Sequence, residues 1–298
     1  MKHVGFADMQ IIQEGAAKMK TALIDVGGGF RDIYGAGVLD RCMDENIHFD
    51  LCIGISAGSA NTASYLAGQR GRNYLFYTDY MLRRKCMGLR ALFSSGSYLN
   101  TEYIYGTLSM HDGENPLNCQ AMLSNPADYI VVATDADTGE ARYFTKDDIT
   151  DDDYRIFMGS SSIPVISKPT VIGDHRYFDG ALSDCIPIEK ALSLGCDRIV
   201  LILSKPVSQV RSADKDIRLA KLIRRKYPNA ANGLANRADT YNRKIATARA
   251  LAEEGKLLII SPVSTDGVDT LSKDKAKLDA LYHIGYNDAA GIQAFLSA

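Results

Sequence analysis

Two short apolar runs, each ending in a glycine-rich turn and leading into a helical pattern, lie between Thr21 and Ala67, and this doubled unit restricts the chain to an α/β architecture. Thr21 to Val26 (TALIDV) enters Gly27-Gly28-Gly29, after which Ile33, Gly37, Val38 and Cys42 recur near helical spacing across Ile33 to Asn46. Phe49 to Ile55 repeats the move into GISAGSAN, and the small residues of Ala57 to Ala67 suit a helix lying close on a sheet. Tyr129 to Thr134 (YIVVAT) is a third buried strand, and after the DADTG turn Ala141 to Phe144 reads as the return arm of a hairpin. Short strands follow at Thr170 to Ile172 and Arg176 to Phe178, joined by GDH. Pro187 to Leu194 is then a helix with proline at its start, and Asp197 to Ser204 a last buried strand, where the sheet is expected to close. Strands alternating with helices imply a mostly parallel sheet flanked by helices.

From about residue 208 the composition shifts to basic and alanine-rich helical segments, Asp214 to Lys226 and Ala235 to Glu254, with one strand at Leu257 to Ser261 and terminal helices. The expected division is a sheet domain over residues 20–207 and a mainly helical C-terminal appendage over 208–298. With 34 Lys and Arg against 36 Asp and Glu, the net charge of -2 gives no global attraction to polyanions, so nucleic acid is not an expected partner. The six cysteines form no C-x-x-C pair and read as small buried hydrophobes rather than a zinc or redox site. Charges interrupt every stretch of the first 20 residues, unlike a signal peptide, and no apolar run approaches 18 residues, so the expected location is cytoplasmic.

Three places carry chemistry. Gly54-Ile55-Ser56-Ala57-Gly58 has the G-x-S-x-G form between an apolar strand and a small-residue helix, the context of a nucleophile elbow. Gly54 and Gly58 permit the sharp turn, and the helix start offers N–H groups to developing negative charge. Taken alone, a plain strand-to-helix turn explains the pentapeptide equally well. Gly27, Gly28 and Gly29 can turn successive N–H groups into one concavity, as an oxyanion hole requires, with Arg31 either reinforcing it or orienting the loop. A dinucleotide fingerprint is excluded by Asp32 where Gly or Ala is needed, and a P-loop by the lack of G-K-[ST]. Finally, Asp179 ends a strand and is followed by Gly180, where a carboxylate can take the proton of a serine, although Asp-Gly is also a common turn dipeptide. After Asp179 only His283 satisfies the Ser-acid-His order, and His175 sits in a turn, so a serine and aspartate pair is favoured over a triad.

GGGFR, GISAG and DGA in this order resemble the patatin-like phospholipase family. Tyr129 to Gly139 (YIVVATDADTG) and the stretch from Met158 to Pro206 are similar to the family's central strand, its DG[GA] block and the helix and strand that follow, so that the likeness spans about residues 20 to 206. The resemblance implies a three-layer α/β/α sandwich and lipid acyl hydrolysis with no metal or other cofactor. It maps Ser56 as nucleophile, Asp179 as base, and Gly27, Gly28 and Gly29 as oxyanion donors. Asp32 departs from it, since many members have glycine there. The expected substrate is a phospholipid or other acyl-ester lipid; a general carboxylesterase, an acyltransferase and a non-catalytic lipid-binding or regulatory protein are the alternatives.

Two segments bear on membrane contact. Met81 to Ser95 carries Arg83, Arg84, Lys85 and Arg90 among Met, Leu and Phe with no acid, and the region 85–100 has the glycine and serine content of a lid. Lys215 to Lys226 is basic on one face and has Leu219, Leu222 and Ile223 on another. The favoured reading of both is a solvated charged helix packing an apolar stripe on the core, with docking on anionic lipid as the alternative. The acids Asp147, Asp148, Asp151, Asp152 and Asp153 lack the spacing of a calcium loop and suit helix capping.

Overall fold

The computed structural model describes residues 19–298; the charged N-terminal stretch lies almost wholly outside the described residues. Eight strands form one mixed sheet: β1 (Thr21–Asp25), β2 (Leu51–Ile55), β3 (Asp128–Asp135), β4 (Ala141–Thr145), β5 (Thr170–Ile172), β6 (His175–Asp179), β7 (Arg198–Ile202) and β8 (Leu257–Ile260). Their order is β5-β6-β3-β2-β1-β7-β8, with β4 also paired to β3. The strands from β3 through β2, β1 and β7 to β8 run parallel, while β4, β5 and β6 pair antiparallel.

Alternation along the central strands divides the core in two, because successive side chains point to opposite faces. Leu23, Cys52, Val131 and Val200 face a layer that includes the helices Ile33–Asp44 and Lys275–Asp288. Ile24, Ile53, Val132 and Leu201 face Ile188 and Ala191 of the helix Ile188–Ser193 and Tyr241, Ile245 and Ala248 of the 26-residue helix Pro228–Glu253. The architecture is therefore helix, sheet, helix. All six cysteines are buried and unpaired, as their spacing suggested.

The sheet does not close at β7. Ile199 to Ile202 pair in parallel register with Leu257 to Ile260, so β8 extends the same sheet across the change in composition near residue 208. The largely helical C-terminal region is packed onto the core as well: Tyr282 donates to Asp40 Oδ2 at 2.6 Å and Tyr34 to Asp288 Oδ2 at 2.8 Å. The two helices meet so closely that a Cβ on Gly37 would stand 2.1 Å from Tyr282 O.

Among the described residues no helix is long and apolar enough to cross a membrane. The helix Asp214–Ile223 tucks Leu219 and Ile223 against a small cluster with Phe178 and Tyr227, but leaves Leu222 exposed, so its apolar stripe is only partly covered. The acidic run is spent on local contacts: Asp148 accepts the Thr145 N–H at 2.8 Å, Asp152 the His111 N–H at 2.8 Å, and Asp153 pairs with Arg155.

Candidate active site

Ser56 ends β2 and begins the helix Ala57–Leu66 with φ 54 and ψ -129, a left-handed conformation that costs a non-glycine residue about 1–3 kcal/mol. Its surroundings enforce this. The Ser56 N–H donates to Ser160 Oγ at 2.8 Å, and Ser160 Oγ donates in turn to Val132 O at 2.7 Å, tying the elbow to β3. The following turn is closed by Ser59, whose N–H and hydroxyl both donate to Ser56 O, at 3.0 and 2.6 Å. A Cβ on Gly54 would lie 2.5 Å from Ser59 Cα, and one on Gly58 2.4 Å from Asp25 O, so neither place admits a side chain.

Asp179, at the end of β6, is 4% exposed. Its carboxylate Oδ1 accepts the Ala181 N–H at 2.9 Å, its own N–H donates to Ser162 O at 2.9 Å, and Thr134 Oγ1 donates to its carbonyl at 2.8 Å. Gly180 fits against β3, where a Cβ would be 2.3 Å from Val132 O. The Ser56 hydroxyl lies close enough to the Asp179 carboxylate to favour its ionised form. Burial pushes that carboxyl above its ordinary range, against the opposing pull of the Ala181 amide, the Ser56 hydroxyl and the Arg237 and Arg211 charges. The fold thus brings together two residues far apart in sequence, each singled out by its own motif.

The glycine loop lies against the elbow: a Cβ on Gly27 would be 2.2 Å from Ile55 O and 3.1 Å from Ala57 N. The Gly27 N–H donates to Asp25 Oδ1 at 3.0 Å, an i to i−2 bond that engages it inside the chain, whereas no such bond engages the Gly28 or Gly29 N–H among the described residues. Arg31 orients the loop through Thr270, to whose Oγ1 its Nη1 donates at 3.0 Å, while the Phe30 N–H donates to Thr270 O at 3.1 Å. Asp32 takes no part in the concavity. It is fully buried with Asp25, and Asn61 Nδ2 donates to its Oδ2 and its carbonyl, both at 2.9 Å. Burial raises both carboxyls, Asp25 to about 6 and Asp32 well above its ordinary range, the latter also repelled by Asp25.

A partly open apolar cleft, with about 50 Å³ that a water-sized sphere can occupy, reaches Ser56 and Gly29. Phe30, Phe76, Tyr77, Met81, Leu99 and Ile163 supply its walls, and Thr270 and Leu271 bring the C-terminal region to its edge. Neither His175 nor His283 approaches Ser56 through a bond as the third member of a triad would. His175 Nδ1 contacts Asp135 Oδ2 at 3.0 Å at the far end of β6, and His283 lies 3.8 Å from Asp279 on the outer face of its own helix. Sequence reasoning missed Asp25, Asn61, Ser160, Ser204 and Thr270. Only Asp25 carried a local signal, an acid two residues before a glycine, which is Asx-turn chemistry.

A serine at a strand-to-helix elbow, beside a buried aspartate and flanked by a glycine loop, is the arrangement of an α/β protein with a serine and aspartate pair. A family model described as patatin-like phospholipase matches residues 26–192, and the chain belongs to that family. A second model, for a domain of unknown function (DUF6363), matches residues 227–295. Among curated proteins the chain is 26% identical over 191 residues to "Uncharacterized protein YjjU" of Escherichia coli (strain K12), a match covering 63% of this chain and 52% of that protein. The chain thus aligns with about half the length of that relative. Among solved structures it is similar to VipD from Legionella pneumophila, with a TM-score of 0.49 and 13% identity, over 95% of this chain and 67% of that one.

Proposed function

We propose that this protein is a serine acyl-ester hydrolase acting on phospholipids or related acyl lipids. The observation that carries the reading is a buried Asp179 carboxylate within the influence of the Ser56 hydroxyl at the edge of an apolar cleft. Asp179 takes the hydroxyl proton as Ser56 Oγ attacks the ester carbonyl carbon. The carbonyl oxygen becomes an oxyanion stabilised by the amides of Gly28 and Gly29, with the start of the helix Ala57–Leu66 adding its dipole. Collapse of the tetrahedral intermediate expels the alcohol, which leaves with the proton from Asp179. Water, deprotonated by the same carboxylate, attacks the acyl-serine and releases the fatty acid. The cleft walls suit an acyl chain, since they are aromatic and aliphatic apart from Asn61, Asn73, Ser161, Thr101 and Thr270.

Contact with a lipid surface belongs to the same reading. Phe93 is 86% exposed and Leu92 40%, beside the exposed cations Arg84, Lys85 and Arg90, while Leu99 further along the segment lines the cleft. An apolar tip in a segment that carries exposed cations fits an anionic membrane face.

The test is fatty-acid release from phospholipid vesicles and from an acyl-ester series, comparing wild type with Ser56→Ala, Asp179→Asn and His175→Ala. Wild type and His175→Ala are expected to be active and the other two silent. Wild type no better than Ser56→Ala on every ester would overturn the proposal in favour of a lipid-binding role. Capture of the acyl group by an added alcohol or lysolipid would reassign the same chemistry to acyl transfer.

A further inference from the structure

Beside the glycine loop, and apart from the apolar cleft, cations gather around too few acids. Lys205 follows Ser204, whose hydroxyl donates to Gly27 O at 2.6 Å, so this lysine leaves the end of β7 next to the loop. Arg31 approaches from the loop itself: its Nη2 lies 3.5 Å from where a Cβ on Gly28 would stand, and its buried Nε has no partner. Arg211 lies over the Tyr241 ring at 5.8 Å and is pinned by Asn242, which accepts the Arg211 N–H at 2.9 Å and donates to its carbonyl at 3.1 Å. Arg211 and Arg237 both donate to Asp216, at 3.1 and 2.6 Å, so one carboxylate is divided between two guanidiniums.

Lys205 stands within the field of Arg31, Arg211 and Arg237, with Asp216 as the opposing acid; Arg31 has Asp32 and Asp269 near it as well. Among the described residues the Lys205 ammonium has neither a hydrogen bond nor an ion pair. Burial, followed by the three guanidinium charges, pulls it down to about 8. A part-buried ammonium facing like charges without a partner is destabilising in the free protein and is relieved when an anion arrives. The Arg237 and Arg211 charges also reach Asp179, which puts the cluster at the reacting end of the molecule, yet none of these four cations lines the apolar cleft.

We propose that Lys205, together with Arg31, Arg211 and Arg237, forms an anion subsite for the phosphate of an acyl ester whose acyl chain occupies the apolar cleft. The proposal rests on the hydrolase reading and sharpens it: the leaving alcohol carries a phosphate. Guanidinium groups suit phosphate oxygens by their paired donors, and the lysine adds a compact charge.

The experiment pairs two esters with the same short acyl chain, a lysophosphatidic acid and the corresponding monoacylglycerol, both below their micellar concentrations. The ratio of their kcat/KM values reads the subsite. Wild type favours the phosphate ester at pH 7, and Lys205→Met lowers that preference roughly tenfold, the worth of one charge-assisted contact. The preference declines in wild type above about pH 8 as Lys205 loses its proton, but persists in Lys205→Arg. A ratio unchanged by Lys205→Met overturns the proposal. A second arm does not depend on turnover: sn-glycerol 3-phosphate and inorganic phosphate are titrated calorimetrically onto Ser56→Ala protein with and without Lys205→Met. Glycerol 3-phosphate is expected to bind, and to bind roughly tenfold more weakly in the double variant. Should wild type cleave neither ester, the vesicle and ester series decides the hydrolase reading, and this arm alone decides the subsite. No binding of glycerol 3-phosphate, or binding indifferent to Lys205, would reject it. Inorganic phosphate binding with no effect of Lys205 on ester preference would also reject it, as the mark of a free-phosphate site.

Discussion

Replacing Thr270 with valine isolates the link between the C-terminal region and the glycine loop. Valine keeps the shape of threonine, and the backbone carbonyl that accepts the Phe30 N–H is untouched; the change removes only the acceptor 3.0 Å from Arg31 Nη1. Arg31 Nε is already buried without a partner, so the substitution leaves a second guanidinium donor unsatisfied in the same side chain. A hydrogen bond to a charged group contributes about 1.5–3 kcal/mol, and an abandoned buried donor costs a similar amount, so a loss near 2 kcal/mol is expected. Urea unfolding of wild type, Thr270→Val, Arg31→Met and the double variant measures it as a cycle. The coupling between the two positions should be about 1–3 kcal/mol, and Thr270→Ser should recover most of the stability. Because the loop also presents the Gly28 and Gly29 amides, kcat should fall with little change in KM. Additive effects, with coupling below about 0.5 kcal/mol, would show that Thr270 does not hold the loop through Arg31.

Three further outcomes follow from titratable and exposed groups. Asp179 must be ionised to accept the serine proton and is raised by burial, so kcat/KM should fall on the acid side with a midpoint above the ordinary aspartate value; a midpoint at or below about 4 contradicts this. Asp25 is raised from 3.8 to about 6, so its protonated form favours folding: that contribution is complete below 3.8 and is lost as pH rises through about 6. It amounts to about 3 kcal/mol, and urea midpoints of Asp25→Asn should gain on wild type between pH 4 and 7; a difference flat with pH refutes it. Phe93→Ser, removing the most exposed ring of the apolar tip, should weaken sedimentation with anionic vesicles roughly tenfold while sparing cleavage of a soluble ester. Unchanged partition would place the membrane face elsewhere.

Much of this molecule is legible in its sequence, because its informative features are local. TALIDV and FDLCIGI announce themselves as buried strands, and the abrupt passage from each into glycine turns and small-residue helices carries the α/β layering. Ser56 and Asp179 are recognisable through the order of several motif blocks rather than through either residue alone. Features that depend on distant partners are not legible in this way. Nothing in LLII of β8 names β7 as its neighbour, so the sequence pattern ends the sheet one strand early. Thr270 has no local signature until folding lays its carbonyl against Phe30. The bond that engages the Gly27 N–H comes from a carboxylate two residues away, whose orientation depends on burial with Asp32 and Asn61. Lys205, Arg31, Arg211 and Arg237 come from three regions of the chain, and their mutual proximity has no signature in spacing.

Covalent capture of the nucleophile tests the serine and aspartate pair most directly. A fluorophosphonate carrying a long alkyl chain, followed by intact mass and peptide mapping, should add one phosphonyl group at Ser56 in wild type. It should add none in Ser56→Ala, and labelling should be much slower in Asp179→Asn, where no carboxylate takes the proton. Labelling of another serine, or equal rates in wild type and Asp179→Asn, would contradict the pair as the reacting centre.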